Sequence, residues 1–414
     1  MDVSDTITSN LDSLWLLIAA ALVLLMTPGL AFFYGGMVRA KSVISMMMMS
    51  FGSMALVAVL WVLYGYGLVF GHPLLPGFLG NPSGLFGLES LLGIGADGTA
   101  HPDLQGLAFA GFQATFAIIT VALISGAIAG RAKFGAWMVF TGVWVTIVYF
   151  PVAYWVFNLA DGWAVAALHV NDFAGGTAVH INAGAAGLAL ALVLGKRDGF
   201  GKGLGKPHNV PLTMLGAALL WFGWFGFNAG SEAAVDGIAA LAWINTLAAP
   251  AAGILGWLIV ERLRDGKPTS IGAASGAVAG LVAITPACNI LSPGWAIVLG
   301  VLTGAVCALA IELKYKLGFD DSLDVVGIHL VGGLIGTLYV GVFGMGIGLV
   351  DTGSFSQLWV QAVGAVSVAA YSFALAYAIG FAIEKTVGFR VRTQDEAAGV
   401  DSLVHGEEGY ALAG

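Results

Sequence analysis

The chain has 414 residues, 58% of them hydrophobic and only 10% charged, with a mean hydropathy of +0.91 and a formal net charge of −8. An ordinary soluble domain carries roughly 25% charged residues, so this composition excludes a soluble globular protein and predicts an all-α integral membrane protein. The 16 Lys and Arg form no basic cluster beside an aromatic platform, which argues against nucleic-acid binding.

A bilayer core of about 30 Å takes roughly 20 apolar helical residues. On that scale the sequence predicts eleven transmembrane helices, at 13–36, 43–70, 105–129, 135–157, 173–195, 210–228, 238–260, 270–286, 294–313, 323–345 and 357–383. No basic stretch precedes the apolar run from Leu14 to Leu25 and no A-x-A site follows it, so the reading is a first span without a signal peptide. Pro28 is expected to kink that span. Most of the 61 glycines lie inside apolar runs, the composition of helices packed closely in lipid. Cys288 and Cys307 also sit in apolar stretches, which predicts buried inert thiols rather than a disulfide framework.

Every basic residue follows an odd-numbered span. Arg39 and Lys41 follow the first, Arg131 and Lys133 the third, and Lys196, Arg197, Lys202 and Lys206 the fifth. Arg262, Arg264 and Lys267 follow the seventh, Lys314 and Lys316 the ninth, and Lys385, Arg390 and Arg392 the eleventh. The opposite loops carry acids instead, among them Asp2, Asp12, Glu89, Asp161, Glu232 and Asp351. The positive-inside rule then puts the N-terminus outside and the C-terminus in the cytoplasm. An even number of spans would scatter the basic residues onto both sides. The expected organisation is a membrane domain at 1–386 and a cytoplasmic tail at 387–414, which on its residues alone reads as a short charged terminus of the usually disordered kind. No GxxxxGK[ST] loop is present, so an ATP-driven pump is not indicated.

The fifth and tenth spans share a pattern. Asp172, His180, Gly184 and Gly187 repeat as Asp321, His329, Gly333 and Gly336, both reading Asp-x7-His-x3-Gly-x2-Gly. An odd number of spans separates the copies, so they cross the membrane in opposite directions, the signature of an inverted repeat with its site near the midplane. Eight helical residues carry each imidazole roughly 12 Å inward from opposite faces. The glycines four and seven positions later lie within about 40° of each His and permit close approach of the two helices. Buried structural histidines bonded to backbone carbonyls are one reading of the pair. Intramembrane ionisable residues are functional by default, which favours a site. A metal centre would need further ligands, and no Cys, Asp or Glu is expected at the same depth. Burial disfavours the charged ring, and two neutral imidazoles can donate, accept and relay a proton. The cargo implied is small, polar and able to cross at least partly as a neutral species.

The segments TPGLAFFYGGMVRAKSV, GFQATFAIIT, DFAGGTAVHINAGAAGL, KRDGFGK, KPHNVP, GWFGFNAGS, GKPTSIGAASGAVAGLVAITPAC and DVVGIHLVGGLIGT follow one another along nearly the whole chain. In this set the chain resembles the Amt/Mep/Rh ammonium transporter family, of the bacterial Amt type. The resemblance implies eleven helices in inverted five-helix repeats plus a final helix, a homotrimer with one pore per subunit, no cofactor, and ammonium or methylammonium as the substrate. It makes His180 and His329 the twin-histidine pair of the pore and Phe116 and Phe227 a stacked aromatic gate. Phe116, Phe157 and Ser231 would form the outer substrate site, with Asp172 as its structural carboxylate; read alone, Asp172 is a helix N-cap. The family has a Trp where this chain has Phe157, a poorer cation–π partner. Trp155 lies about 200° around the helix from Phe157 and is not expected to replace that Trp. The tail GFRVRTQDEAAGVDSLVHGEEGYAL resembles the family's regulatory tail, which implies a PII-type signal protein at the cytoplasmic pore exits. Three functions compete: a transporter, an ammonium sensor acting through the tail, and a channel for another small neutral gas. The Phe gate and Ser231 suit a cation recruiter. No HExxH or nucleophile–base pair suggests an enzyme.

Overall fold

The computed structural model describes residues 3–93, 99–201 and 206–410. Asp2 and Lys202, used in the charge reading, lie outside these residues, as does the tail beyond Tyr410. Among the described residues, ten helices are long and apolar enough to cross a membrane: α1 (Thr6–Met37), α2 (Ala40–Phe70), α3 (Leu104–Ile128), α4 (Phe134–Phe157), α5 (Gly176–Leu194), α6 (Val210–Glu232), α7 (Gly237–Arg264), α9 (Pro293–Leu317), α10 (Val326–Phe343) and α11 (Ser356–Thr386). Between them α8 (Ser270–Ile284) is apolar but only 15 residues long. At 1.5 Å per residue it reaches about 22 Å, short of a full hydrocarbon core. Nearly all of it is buried against its neighbours, so it is cased in protein rather than lipid. The chain is thus an all-α, multi-pass membrane protein.

Small residues decide which helices touch. α1 packs along α6, and α7 along α8 and α9. A Cβ on Gly216 would strike the backbone of Phe33, and one on Gly304 the backbone of Gly253. Without a hydrophobic drive between helices in lipid, this close backbone approach and the dispersion contact it brings hold the bundle together. α1 runs unbroken through Pro28 to Met37. Cys288 and Cys307 are both buried and unpaired.

The ends of the odd-numbered spans meet at one end of the bundle. Arg131 there contacts Asp320, which also pairs with Arg197 at 2.6 Å. Arg390 donates to the Leu194 carbonyl, and Arg264 to that of Ala308. The tail closes over the same end and is folded. Thr393–Ala398 and Asp401–Val404 form short helices. The Asp401 carboxylate caps α2 by accepting from the Ile44 and Ser45 amides at 3.0 and 2.8 Å. Tyr410 meets His208 Nε2 at 2.8 Å. The disordered terminus read from residues alone is therefore corrected: its stabilising partners are the start of α2 and the loop at His208, hundreds of positions away, which local composition does not register.

At the opposite end, the α2–α3 connection forms a small hairpin, β1 (Pro73–Leu75) and β2 (Leu79–Gly80). Asp161 ties it down, its carboxylate accepting from the Gly77 amide at 2.7 Å and the Tyr154 hydroxyl at 2.6 Å.

Candidate functional site

α5 and α10 cross antiparallel, and glycine sets their spacing. A Cβ on Gly184 would lie 2.5 Å from the Leu330 amide, and one on Gly333 would lie 3.2 Å from His180 Cβ. Further along, Gly187 faces Val325, so residue numbers rise on one helix as they fall on the other. Both histidines sit in widened π-helical turns, Gly176–Ile181 and Val326–Leu330, at the start of each helix. Such turns recur at functional sites because the extra residue re-aims the side chains. Neither turn was visible in the sequence pattern.

Each turn is held by the Asp of its motif. The Asp172 carboxylate accepts from the amides of Gly175 (3.0 Å), Gly176, Thr177 (2.7 Å) and Ala178 (3.1 Å), and from the Thr177 hydroxyl. Asp321 accepts from the Val326 amide at 2.7 Å. Asp172 thus satisfies the orphan amides of a helix start.

His180 and His329 are 1% and 3% exposed, and their Nδ1 atoms lie 3.2 Å apart with ring planes inclined by 21°. A hydrogen bond between two imidazole nitrogens requires one N–H and one bare nitrogen. In a neutral pair such a bond places one shared proton between the rings. Its two outer Nε2 ends then differ: the ring that donates through Nδ1 has a bare Nε2, and its partner carries Nε2–H. His180 Nε2 has no protein partner.

Trp224 stacks on His180 at 5.3 Å and 22°, and Phe227 lies one turn further along α6. Phe227 in turn stacks on Phe116, with ring centres 4.1 Å apart and planes 12° from parallel. Phe157 sets its edge against Phe116 at 6.0 Å. Ser231 donates its hydroxyl to the Phe227 carbonyl at 2.7 Å, anchoring the end of α6 beside the stack. Beside Phe227 a small cavity adjoins both histidines, walled by Leu30, Ile119, Leu123, Val179, Leu220 and Val278. Its free volume is about 10 Å³, on the order of one water-sized molecule.

His180, His329 and Phe227 therefore line one small cavity, Phe116 and Phe157 follow from Phe227 through ring contacts, Ser231 bonds the Phe227 carbonyl, and Asp172 holds the start of α5. Trp155 turns away: it packs on Trp163 and on Tyr371, with ring centres 5.6 and 4.7 Å off. Sequence reasoning did not single out Trp224. The signal was its place three residues before Phe227 in GWFGFNAGS, on the same helix face.

A sequence model of the Ammonium Transporter Family matches residues 14–410. The ammonium transporter of Mycobacterium tuberculosis is 53% identical over 97% of this chain and 90% of its own length. That of Bacillus subtilis is 45% identical over 96% of this chain and 98% of its own length. Among solved structures, Saccharomyces cerevisiae Mep2 superposes with a TM-score of 0.83 at 35% identity, covering 92% of this chain and 90% of Mep2. A sensor Amt protein superposes with a TM-score of 0.89 at 30% identity, covering 97% of this chain and all of that one. With the family matched along almost its whole length and a relative at 53% identity, the chain belongs to the Ammonium Transporter Family and is an ammonium transporter.

Proposed function

We propose that ammonium is recruited beside Ser231, Phe116 and Phe157, gives up its proton near the stacked phenyl rings, and passes His180 and His329 as ammonia. The observation that carries this reading is the 3.2 Å Nδ1–Nδ1 contact at the foot of a stacked phenyl pair, beside a cavity of about 10 Å³. A hydrated cation does not fit such a space. Stripping the water from a small ion and burying it costs on the order of 20 kcal/mol by an idealised Born estimate. Ammonium escapes that cost by dividing into neutral ammonia, which donates to the bare Nε2 and accepts from the protonated one, and a proton. The proton has its own carrier in the Nδ1-linked pair: a proton enters at the bare Nε2, the shared proton shifts across to the other Nδ1, and the partner ring releases its Nε2 proton, which leaves the two tautomers exchanged. The stack excludes water until a thermal rotation of Phe116 or Phe227 admits the substrate. Phe157 supplies a weaker cation–π surface than a Trp would, and methylammonium is the expected analogue.

With α8 counted as a span, the chain has eleven, in two inverted five-helix repeats and a final helix, with the N-terminus outside and the tail in the cytoplasm. Residues 1–386 form the membrane domain and 387–414 the regulatory tail. Three subunits with one pore each assemble, and a PII-type signal protein docks at the cytoplasmic exits.

An ammonium pulse applied to proteoliposomes tests the mechanism, comparing wild type with His180→Ala plus His329→Ala. The expected result is a saturable inward current that the double variant loses while remaining folded. Lumenal alkalinisation without current would mean that ammonia alone crosses. Neither signal from folded wild type would favour the sensor reading, in which the docked tail reports occupancy.

A further inference from the structure

The β1–β2 hairpin combines two properties that do not belong together on a water-facing loop. Its side chains are apolar and uncovered: Leu74 is 58% exposed, Leu75 57% and Phe78 46%, and Leu159 in the adjoining turn is 77% exposed. The backbone of its turn, by contrast, is bonded to protein at Gly77 and Phe78. Pro73 and Pro76 have no amide hydrogen to satisfy. The Gly77 amide donates to Asp161 at 2.7 Å and the Gly77 carbonyl accepts from the Trp163 amide at 3.0 Å. The Phe78 amide donates to the Leu75 carbonyl at 2.9 Å, and the Phe78 carbonyl accepts from Trp155 Nε1 at 3.1 Å. Water would satisfy these groups without such help; a lipid environment would not. Gly77, at φ +78°, makes the tight turn that brings all four bonds about.

The hairpin's depth follows from the same contacts. Trp155 lies in the last turn of α4, which ends at Phe157, so the bond from its indole draws the hairpin tip level with the end of the helix rather than above it. The apolar surface is also continuous with the flank of the bundle. Exposed Val139, Val143 and Ile147 form a stripe along α4, and Val59 and Val62 one along α2, which leads into the hairpin. Trp155 and Trp163 stand beside the tip, where indoles concentrate at membrane interfaces. The segment from Pro73 to Gly80 carries no charge.

We propose that the β1–β2 hairpin is an interfacial membrane anchor, seating Leu74, Leu75 and Phe78 at the boundary between phospholipid headgroups and acyl chains on the gate side of the bundle. Clamped through Asp161 and Trp163 to the loop after α4, it fixes the rim near Phe157 at a set membrane depth. The proposal is independent of how the pore conducts.

The test is nitroxide accessibility in the full chain, reconstituted in phosphatidylethanolamine–phosphatidylglycerol liposomes. Spin labels go on Leu75→Cys and Leu159→Cys, with Ser83→Cys as the water-facing reference and Val143→Cys as the lipid-facing one. Native Cys288 and Cys307 are fully buried, and labelled wild type provides the background. At positions 75 and 159 the ratio of collisions with oxygen to collisions with nickel ethylenediaminediacetate is expected to exceed that at 83 several-fold and to approach that at 143. Free collision with the nickel complex at 75 would place the hairpin in water and overturn the proposal. Protection from both reagents would mean that protein covers it, and would overturn it equally. Ammonium uptake by each variant verifies the fold.

Discussion

Asp172 shows how much one side chain carries at this site. Its carboxylate takes up four amides and a hydroxyl at the start of α5, and the bonds to a charged acceptor contribute about 1.5–3 kcal/mol each. Removing it leaves those donors buried without a partner. Asp172→Ala is therefore expected to cost at least ~3 kcal/mol of stability, read as a lowered melting temperature in detergent, whereas Asp172→Asn keeps an acceptor oxygen and loses less. A residue that bound the substrate directly would instead change apparent affinity in a stably folded protein. The cap reading of Asp172 was legible because a short acid before a helix is a local feature, whereas its reading as a site carboxylate came only from the resemblance to the family. Trp224 was less legible. An aromatic in an apolar span is ordinary core until its distance from His180 is known, and that distance joins α6 to α5.

At the scale of elements, antiparallel crossing of α5 and α10 creates the histidine pair, and glycines permit it. A Cβ at Gly184 would press on the Leu330 backbone, one residue from His329. Gly184→Ala is expected to push the helices apart at an overpacking cost of about 1–3 kcal/mol, with transport falling far more than expression. Uptake of labelled methylammonium per folded protein checks this. An equal substitution at Gly111, which faces open space, should leave uptake intact. The repeated Asp-x7-His-x3-Gly-x2-Gly motif announced this contact before any coordinates, since period, spacing and span parity all reside in the chain. The π-helical turns escaped the reading because a widened turn differs from an ordinary one by a single hydrogen-bond register, which tertiary packing selects. α8 fell short of its expected range, ending at Ile284; Thr285 and Pro286 instead enter the turns that support the start of α5, where the Pro286 carbonyl accepts from Asn171.

Across the whole molecule, charge fixes one end. Burial opposes ionisation of Asp320, but the hydrogen bonds and positive charge of Arg197, with the charge of Arg131, outweigh it and hold its carboxyl below the ordinary value. A depressed carboxyl stabilises the fold above its unfolded value of about 3.9 and ceases to do so as pH falls through the lower folded value. Asp320→Asn should therefore destabilise the protein on the order of 3 kcal/mol at pH 7 by leaving Arg131 buried without its counter-ion. The gap to wild type should narrow below about pH 4, which melting curves at pH 7 and pH 3.5 would reveal.

Hydropathy, the run of basic residues after alternate spans and the Asp–His repeat were determined by the sequence alone, because each depends on spacing along one chain and on the fixed thickness of a bilayer. Tertiary structure decided the rest: the 3.2 Å contact between two Nδ1 atoms, Trp224 against His180, the docked tail and the clamped turn of the hairpin. Each of these joins residues far apart in the chain at separations of a few ångströms, and such distances are set by how helices pack, which no local pattern of residues encodes.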